Sequence, residues 1–429
     1  MTDYSPFPLI DLSGSPRERG RIHGKAAADR LRRGAKMYAE SLLKNGVDWK
    51  ELERRAERLV PQVETFEPAY IEEMRGIAEG AGEPFAAVML MNARTEMVAA
   101  ARRQQAAKHF PDGCTAALAL PEASADGVLL HGQNWDWRAE CAETGVVLRI
   151  RRDDGPDILT FTEAGGLARS GLNSAGIGLT ANALECDRDY QRGTGVPLPF
   201  IRRKVLESAY LAQAVHTIFS TPKLGSNHMA VSHCEGEAFG FECAPDETFW
   251  LAPERGLYVH ANHWIADSAR AKVKDTGLAE TPCSIYRDKR VREHLSPKRG
   301  KLTLEDFRSA FFDDWGSPWS VCRPPRPNNR GNLVATSAMI LMRPGEGHLE
   351  ACPMPALNRQ FTTYTLTPGL ILPAFSAASI IETPMRSFTD DIGLKNSSLA
   401  RISPVTPSRW GRRLRRTRGV APMVSVMSP

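Results

Sequence analysis

Pro111-Asp112-Gly113-Cys114-Thr115 marks the point where this 429-residue chain changes its secondary-structure signal. Before it, from about residue 15 to 97, apolar residues recur at helical spacing, and Gly14-Ser15-Pro16-Arg17-Glu18 is typical of a helix start. After it, short apolar or β-branched runs are separated by Gly, Asp and Pro, as in successive antiparallel strands. These runs are 115–120, 127–131, 146–150, 158–162, 229–232, 238–242 and 333–342, with helical stretches at 199–212 and 284–295.

This order of elements predicts how the chain is organised. Helices before and between two groups of strands favour a layered α+β fold. We expect residues 1–113 to form a helical segment and 114–370 to form the strand-rich body. Residues 371–429 are rich in Pro and Ser and then in Arg, a composition typical of a mobile tail, so its deletion is expected to leave any activity intact.

The charge of the chain is concentrated in that tail. Of the residues 42% are hydrophobic and 24% are charged, which is enough apolar material to bury a core. The net charge is +5, but removing the six arginines between 409 and 418 lowers Lys+Arg from 55 to 49, against 50 acidic residues. A nearly neutral body argues against nucleic-acid and membrane partners, and leaves only the tail as a basis for an uncleaved binding protein.

The cysteines and histidines do not form a recognisable metal or disulfide motif. Eight cysteines are scattered without a C-x-x-C pair. His260-x-x-His263 has plausible ligand spacing, and His228, His233 and Cys234 lie near it in sequence, so a metal-dependent hydrolase stays open as a weaker alternative. With no signal-peptide pattern and no run of about 18 apolar residues, we expect a cytoplasmic protein without metal or other cofactor.

Cys114 differs from the other cysteines by its position after Gly113 and at the start of a strand. A thiol beside a glycyl peptide bond can attack the preceding carbonyl, because glycine tolerates a strained backbone and has no side chain to block the approach. Hydrolysis of the resulting thioester would leave Cys114 with a free α-amine. That amine has a reference pKa of about 7.7–8.0, so it suits a general base for its own thiol.

Two further patterns follow the cysteine. Asp136 lies between Trp135 and Trp137 on a run that can pair with the cysteine strand, where its carboxylate could orient the new α-ammonium; a turn aspartate is the alternative interpretation. Asn182 and Asn262 end strand-like runs, where side-chain amides can donate to an oxyanion. Asparagine in such turns is more often a local hydrogen-bonding residue.

An ordered set of short motifs resembles the acyl-coenzyme A:isopenicillin N (aminopenicillanic acid) acyltransferase family. These N-terminal-nucleophile (Ntn) hydrolases are distantly related to penicillin V acylases and bile salt hydrolases. The motifs, spread over about residues 15–370, are Gly20-Arg21-Ile22-His23-Gly24, Asn92-Ala93-Arg94-Thr95-Glu96, Asp112-Gly113-Cys114-Thr115, Gly132-Gln133-Asn134-Trp135-Asp136-Trp137, Leu172-Asn173-Ser174-Ala175-Gly176, His260-Ala261-Asn262-His263 and Ser284-Ile285-Tyr286-Arg287-Asp288-Lys289-Arg290.

The resemblance implies a four-layer αββα sandwich that cleaves itself between Gly113 and Cys114 into a heterodimer. It also implies roles for particular residues. Cys114 would be nucleophile and base, Asp136 the partner of its amine, Asn182 and Asn262 the oxyanion hole, and Arg287 the electrostatic anchor, with Arg290 as its rival. The reaction would cleave or transfer an acyl group on a small amide through a thioester. Transfer from a coenzyme A thioester is the alternative.

Some positions depart from the family pattern or lack a chemical reason. Bile salt hydrolases have an arginine where this chain has Gln133, so the substrate pocket should differ. His23, Arg94 and Glu96 match the family, but the sequence gives them no chemistry beyond a buried salt bridge or a cap. The chain ends without a peroxisomal tripeptide, so a peroxisomal setting is not expected.

Overall fold

The structure, a computed structural model, describes residues 4–44, 46–102, 113–192, 195–328 and 331–366, with only the backbone of 98–102. The predicted turn at Pro111-Asp112 and the predicted tail at 371–429 lie outside the described residues. Within these ranges no helix combines the length and the apolar character that crossing a bilayer would require.

The segment before Cys114 is mainly helical, as predicted, but it also contributes a strand. Its elements are β1 (Leu9–Leu12), α1 (Pro16–Ala26), α2 (Ala28–Leu43), α3 (Trp49–Phe66), α4 (Pro68–Ala81) and α5 (Phe85–Arg102). Ser15 and Glu18 form the capping box that starts α1. The sequence did not predict this strand, because four residues that alternate between exposed and buried are too few for a periodicity signal.

Helices α1 and α4 cross at glycines. A Cβ on Gly20 would lie 2.0 Å from the carbonyl oxygen of Glu73, and one on Gly76 would lie 2.2 Å from that of Arg17. Only glycine allows the two backbones to approach this closely. The first family-like motif in the sequence therefore has a packing role, since it places α1 directly on α4.

The chain after Gly113 supplies most of the strands. They are β2 (Cys114–Ala119), β3 (Leu130–Arg138), β4 (Gly145–Ile150), β5 (Ile158–Glu163), β6 (Ser170–Asn173), β7 (Ile177–Ala183), β8 (Asn227–His233), β9 (Glu237–Cys243), β10 (Thr248–Leu251), β11 (Leu257–His260), β12 (Arg326–Pro327), β13 (Leu333–Arg343), β14 (His348–Pro353) and β15 (Thr362–Thr365). Every predicted strand run overlaps one of them, so the strand predictions are confirmed.

The later helices are α6 (Cys141–Thr144), α7 (Leu198–Leu206), α8 (Leu211–Ser220), α9 (Asp267–Arg270), α10 (Cys283–Leu295) and α11 (Leu304–Phe311). The helical stretch predicted at 284–295 is confirmed by α10, and the one predicted at 199–212 is confirmed over 199–206. The second stretch is interrupted at 207–210, where α7 has ended and α8 has not begun. The side chain of Gln213 accepts the backbone N–H groups of Ala209 and Tyr210, and this local capping starts a new helix there.

In the described residues the strands form two sheets. The first has the order β1-β4-β5-β6-β7-β8-β9-β10, and the second has the order β11-β2-β3-β13-β14-β15 with β12 beside β13. Strand β1 is parallel to β4, whereas the other pairs are antiparallel. The first sheet therefore contains a strand from each side of Gly113.

The two sheets pack face to face between layers of helices. Helices α7 and α8 contact strands of the first sheet, α10 and α11 contact strands of the second, and β2, β3 and β13 of the second contact β6 and β7 of the first. Trp135 of β3 meets Phe161 of β5 edge to face at 5.6 Å between the sheets. The predicted αββα sandwich with an N-terminal helical segment is confirmed.

Candidate active site

Cys114 is the first residue of β2, and its side chain faces the other sheet. It lies opposite Trp135 in the β2–β3 pairing, so the two side chains project from the same face. Since Trp135 packs against the first sheet, that face is interior, and Cys114 is only 3% exposed. The hairpin predicted between the cysteine strand and the Asp136 strand is confirmed.

Burial raises the pKa of the Cys114 thiol, and the positive charge of Arg169 opposes this shift. The Arg169 guanidinium lies 4.0 Å from the centre of the Trp135 ring, above the residue that pairs with Cys114. The thiol is therefore protonated at neutral pH and needs a base close by to become a nucleophile.

Asn262 holds the backbone nitrogen of Cys114. The chain leaves β11, which pairs with β2, and two residues later presents Asn262 to the start of β2. Asn262 Oδ1 accepts the Cys114 N–H at 2.6 Å and Nη2 of Arg287 at 2.8 Å, while its Nδ2 donates to the Ala183 carbonyl at 2.9 Å. Two donors at the oxygen and one acceptor at the nitrogen fix the orientation of the amide.

Arg287 of α10 holds the other end of the same residue. Its Nη1 donates to the Cys114 carbonyl at 2.7 Å and to Thr115 Oγ1 at 2.8 Å, and its side chain is fully buried. Arg290, the rival in the sequence, pairs instead with Asp313 at 2.8 Å. Of the two arginines, only Arg287 contacts the nucleophile's strand in this structure.

Asp136 contacts the residue before the nucleophile. Its backbone N–H donates to the Gly113 carbonyl at 2.9 Å, and its Oδ1 accepts the Thr336 hydroxyl at 2.7 Å. Burial raises the pKa of the Asp136 carboxyl, an effect opposed first by Arg323, whose Nε lies 3.2 Å from Oδ2. A Cβ on Gly113 would lie 2.6 Å from this Oδ2 and from Arg323 Nη1, so the site requires glycine there.

Sequence reasoning missed Arg323. It follows α11 in a loop far from Cys114 in the chain, its guanidinium is 3% exposed, and its backbone N–H donates to Thr336 Oγ1. The surrounding Val-Cys-Arg-Pro-Pro resembles no motif, so the sequence carried no signal for it. Only the return of the chain to β13, the neighbour of β3, brings Arg323 to the carboxylate.

Asn182 lies close to the site, but its amide is engaged elsewhere. Its Nδ2 donates to the carbonyls of His260 and Ala261, both at 2.9 Å, and its Oδ1 accepts Gln133 Nε2 at 2.7 Å. Gln133 also accepts the Ser170 hydroxyl at 2.7 Å. Asn182 and Gln133 thus join the two sheets beside the segment that carries Asn262.

A cavity of about 210 Å³ opens next to Cys114. Its wall combines residues from both sides of Gly113. The segment before the glycine contributes Tyr38, Leu42, Leu90, Met91, Arg94 and Glu96, and the rest of the chain contributes Trp137, Glu163, Arg169, Asn182, Leu198 and Arg202, among others. The N-terminal segment is therefore part of the site as well as part of the fold.

The structure shows the surroundings of Arg94, His23 and Glu96, the three family-like residues for which the sequence suggested no chemical role. Arg94 pairs with Glu163 at 2.5 Å, which confirms the buried salt bridge. His23 Nε2 accepts the Gly165 N–H at 3.1 Å. Burial raises the pKa of Glu96 to about 7, and backbone N–H groups of α5 and of Leu198 oppose this shift.

Comparison with known proteins identifies the family of this chain. A family model described as acyl-coenzyme A:6-aminopenicillanic acid acyl-transferase matches residues 123–348, more than half of the chain. The chain belongs to this family. One member of the acyltransferase family, the 40 kDa form of acyl-coenzyme A:6-aminopenicillanic-acid-acyltransferase from Emericella nidulans, is 30% identical over 317 residues, which is 73% of this chain and 84% of the relative.

Three of the solved structures that are similar to this chain come from two bacteria and an animal. A conjugated bile acid hydrolase variant from Clostridium perfringens gives a TM-score of 0.42 at 13% identity, over 59% of this chain and 92% of that one. The Caenorhabditis elegans N-acylethanolamine-hydrolyzing acid amidase ortholog gives 0.38 at 15% identity, over 59% and 100%. Penicillin V acylase from Agrobacterium tumefaciens gives 0.38 at 13% identity, over 59% and 86%.

The family membership predicted from the motifs is confirmed. The protein is an enzyme of the acyl-coenzyme A:6-aminopenicillanic acid acyltransferase family. The histidines considered as metal ligands have protein partners: His260 Nε2 lies 2.9 Å from Glu242, His228 Nε2 lies 2.8 Å from Tyr258, and His263 Nδ1 lies 2.8 Å from Ser284. In the described residues no group of three or more His, Cys, Asp or Glu side chains could hold a metal ion.

Proposed function

We propose that the chain cleaves itself between Gly113 and Cys114 and then uses Cys114 as an N-terminal nucleophile on a small amide. The observation that carries this proposal is the set of contacts around one peptide bond. The N–H of that bond is held by Asn262, its carbonyl by the Asp136 N–H, and the next carbonyl by Arg287. The N–H and the two carbonyls that these contacts hold belong to Gly113 and Cys114, the two residues that cleavage would separate.

The same contacts support the cleavage step. The Cys114 sulfur attacks the Gly113 carbonyl carbon, and the N–H of Asp136 stabilises the developing oxyanion. The C–S bond forms first and gives a tetrahedral intermediate. Its collapse breaks the C–N bond, and the proton lost by the thiol is transferred to the leaving nitrogen, which becomes the α-amine of Cys114. Water then hydrolyses the thioester, which leaves a carboxylate on Gly113 and a free thiol on Cys114.

The new α-amine is well placed to serve as the base. Its nitrogen is held 2.6 Å from Asn262 Oδ1, beside the sulfur of the same residue. The amine accepts the thiol proton as sulfur attacks the substrate carbonyl, and passes it to the leaving amine as the tetrahedral intermediate collapses. The acyl group then remains on Cys114 as a thioester until water or another amine takes it. Asn262 is the first candidate for the oxyanion hole, because its Nδ2 has a second N–H besides the one donated to Ala183. Asn182 is the second candidate, and it could donate to the oxyanion only by giving up a hydrogen bond to His260 or Ala261.

The two pieces are expected to stay together as one heterodimer. Strand β1 from the first piece is hydrogen-bonded to β4 from the second, and α5 packs against α7. The cavity needs both pieces because each supplies part of its wall. We also infer a reducing, cytoplasmic setting, which the eight unpaired cysteine thiols support.

Hydrolysis of a small amide is the reaction we favour, and an N-acyl amine, a β-alanyl amine or a β-lactam relative would fit a cavity of this size. Transfer from a coenzyme A thioester to an amine is the second candidate, favoured by the name of the 30% identical relative. Both reactions share the Cys114 thioester. They differ in the acyl donor that forms it, an amide or a coenzyme A thioester, and in whether water or an amine attacks it.

Intact mass measurement on freshly purified protein tests the cleavage. We expect two polypeptides, 1–113 and 114–429, and a single full-length chain for Cys114→Ala. Cys243→Ala, another buried cysteine but in β9, is the matched control and should be cleaved normally. A wild-type chain that stays intact for days, or a Cys114→Ala chain that is cleaved, contradicts the mechanism.

Turnover tests the reaction itself. The cleaved enzyme is assayed with N-acyl amino acids, β-alanyl amines and β-lactams, and separately with an acyl-coenzyme A and an amine. Release of free acid supports hydrolysis, and an N-acyl product that requires the thioester supports transfer. No reaction with any of them by correctly cleaved protein counts against the proposed function.

A further inference from the structure

Two arginines, Arg169 and Arg202, line the same cavity as Cys114, and neither forms an ion pair with a carboxylate in the part of the chain that the structure describes. The Nε of each is buried without a hydrogen-bond partner. Arg202 itself is only 7% exposed. The Arg202 side chain is thus removed from water without an ion-pair partner, and Arg169 is half-buried beside it in the same cavity wall. An anion in the cavity would offset the loss of hydration.

Two carboxylates of the cavity wall, Glu163 and Glu96, do not fully supply that anion, although Glu96 attracts Arg202. Glu163 is already paired with Arg94, and it also accepts the Tyr38 hydroxyl at 2.6 Å. Glu96 is buried, and its pKa of about 7 leaves it only partly ionised at neutral pH. The local charge is therefore positive. In agreement, burial lowers the pKa of Arg202 to about 9, and repulsion by Arg169 adds to the shift.

The two guanidinium groups are also held in defined places near the reacting sulfur. Arg169 stacks on Trp135, whose Cα is paired with that of Cys114, so its position is fixed relative to the nucleophile. Arg202 lies on α7, the helix that packs on β7, and β7 carries Asn182. Planar guanidinium groups with fixed geometry suit a carboxylate better than a single point charge does.

We propose that Arg169 and Arg202 bind a carboxylate on the substrate, so that the preferred substrates are small amides with a negative charge near the scissile bond. This inference rests on the proposed function and narrows its substrate class. The carboxylate can belong to the leaving amine, as in an N-acyl amino acid, or to the acyl group, as in a dicarboxylic acid monoamide. The chemistry recognised by the two arginines is the same in both cases.

Matched substrate pairs test the proposal on the cleaved enzyme. One pair is an N-acylglycine and its glycinamide analogue, and the other is a glutaryl anilide and the corresponding valeryl anilide. We expect kcat/KM for the charged member of at least one pair to exceed that of the neutral member by about tenfold or more. The pair that shows the preference tells which side of the amide carries the carboxylate.

Variants at the two positions separate recognition from folding. Arg169→Gln and Arg202→Gln should each lower kcat/KM for the charged substrate by about tenfold or more, mainly through KM, and change the neutral one by less than about threefold. Arg169→Lys keeps the charge and should recover part of the loss. Arg188→Gln, which removes a surface arginine that pairs with Asp246, is the control. Equal losses on both members of a pair, or no preference in the wild type, overturn the proposal.

A binding measurement keeps this proposal distinct from the proposed function. If the cleaved enzyme turns over none of the four substrates, calorimetric titration with N-acylglycine decides the carboxylate site separately. Saturable binding that Arg169→Gln and Arg202→Gln abolish would support the site even though the catalytic proposal had failed. Absence of binding, or binding that both variants retain, would overturn it.

Discussion

The side-chain oxygen of Asn262 lies 2.6 Å from the backbone nitrogen of Cys114. The same oxygen accepts a hydrogen bond from Arg287, and the same residue's amide nitrogen donates to β7 of the other sheet. One side chain thus connects the nucleophile, the buried arginine and the opposite sheet. Its acceptor and donor functions sit on different atoms, so substitutions can separate them.

Asn262→Asp and Asn262→Ala should differ in which step they impair, self-cleavage or turnover. The aspartate keeps an oxygen for the Cys114 nitrogen and Arg287, so self-cleavage should proceed, but it lacks the amide donor, and turnover should fall by about 10²–10³ if that donor serves the oxyanion. The alanine loses both and should be impaired in cleavage as well as turnover. Mass spectrometry follows cleavage, and kcat follows turnover. Full activity of Asn262→Asp would show that the Asn262 amide nitrogen does not donate to the oxyanion.

Much of this site was accessible from the sequence because local patterns encode it. The change of periodicity at Gly113 and the alternation around Asp136 predicted a hairpin, and the pairing of Cys114 with Trp135 bears this out. The family-like motifs placed Arg287 near the nucleophile, where its guanidinium contacts the Cys114 carbonyl. Each of these residues lies on or directly after a regular element, where spacing along the chain determines direction.

Other residues could not be predicted because topology alone brings them to the site. Arg323 reaches Asp136 from a loop with no motif, and Arg169 reaches Trp135 from the turn between β5 and β6. The role of Asn182 as an oxyanion donor stays a prediction, and in this structure its amide donates to the carbonyls of His260 and Ala261. Which atom of an asparagine faces a neighbour is decided by the packed structure, and residue type does not reveal it.

Gly113→Ala should slow self-cleavage without unfolding the protein. The added Cβ would come within 2.6 Å of Asp136 Oδ2 and Arg323 Nη1, so one of these groups must move away from the scissile bond. Gly155→Ala is the control, because a Cβ there meets only the flexible end of Arg152 at 3.4 Å. The rate of appearance of the two pieces, measured by intact mass, gives the effect. Cleavage of Gly113→Ala at the wild-type rate would mean that the contact is readily relieved.

Arg287→Lys should inactivate the enzyme although it keeps the charge. The guanidinium contacts three acceptors on Cys114, Thr115 and Asn262, and a single ammonium group cannot reach all of them in the same geometry. We expect a fall in kcat of about 10² or more, with a smaller change in melting temperature. Arg290→Lys, three residues along α10 and paired with Asp313, should keep near-normal kcat. Similar losses in both variants would show that the helix, rather than the Arg287 contacts, is responsible.

His131 should make the fold sensitive to acid. Its ring joins the sheets, with Nδ1 2.9 Å from Ser232 Oγ and Nε2 2.9 Å from Thr180 Oγ1, and burial lowers its pKa to about 3. The unfolded chain, with a histidine pKa of about 6.5, binds the proton more tightly than the folded one. The stability that the neutral ring contributes is therefore fully present above pH 6.5 and is lost as the pH falls toward 3, at about 1.4 kcal/mol per pH unit.

Urea unfolding between pH 4.5 and 8 measures this contribution, in a Cys114→Ala background that keeps the protein as a single chain. At pH 8 the free energy of unfolding of His131→Gln should be about 1–3 kcal/mol lower than that of its parent, because the hydrogen bonds of the ring are changed. Below pH 6.5 the stability of the variant should fall less steeply, because it takes up one proton fewer on unfolding. His216→Gln, at an exposed position of α8, should leave the slope unchanged. Buried His23, whose pKa burial lowers to about 4, titrates in the same direction and keeps part of the slope in both variants. An unchanged slope in His131→Gln would show that the acid sensitivity arises from other groups, because the substitution removes only the proton bound at that ring.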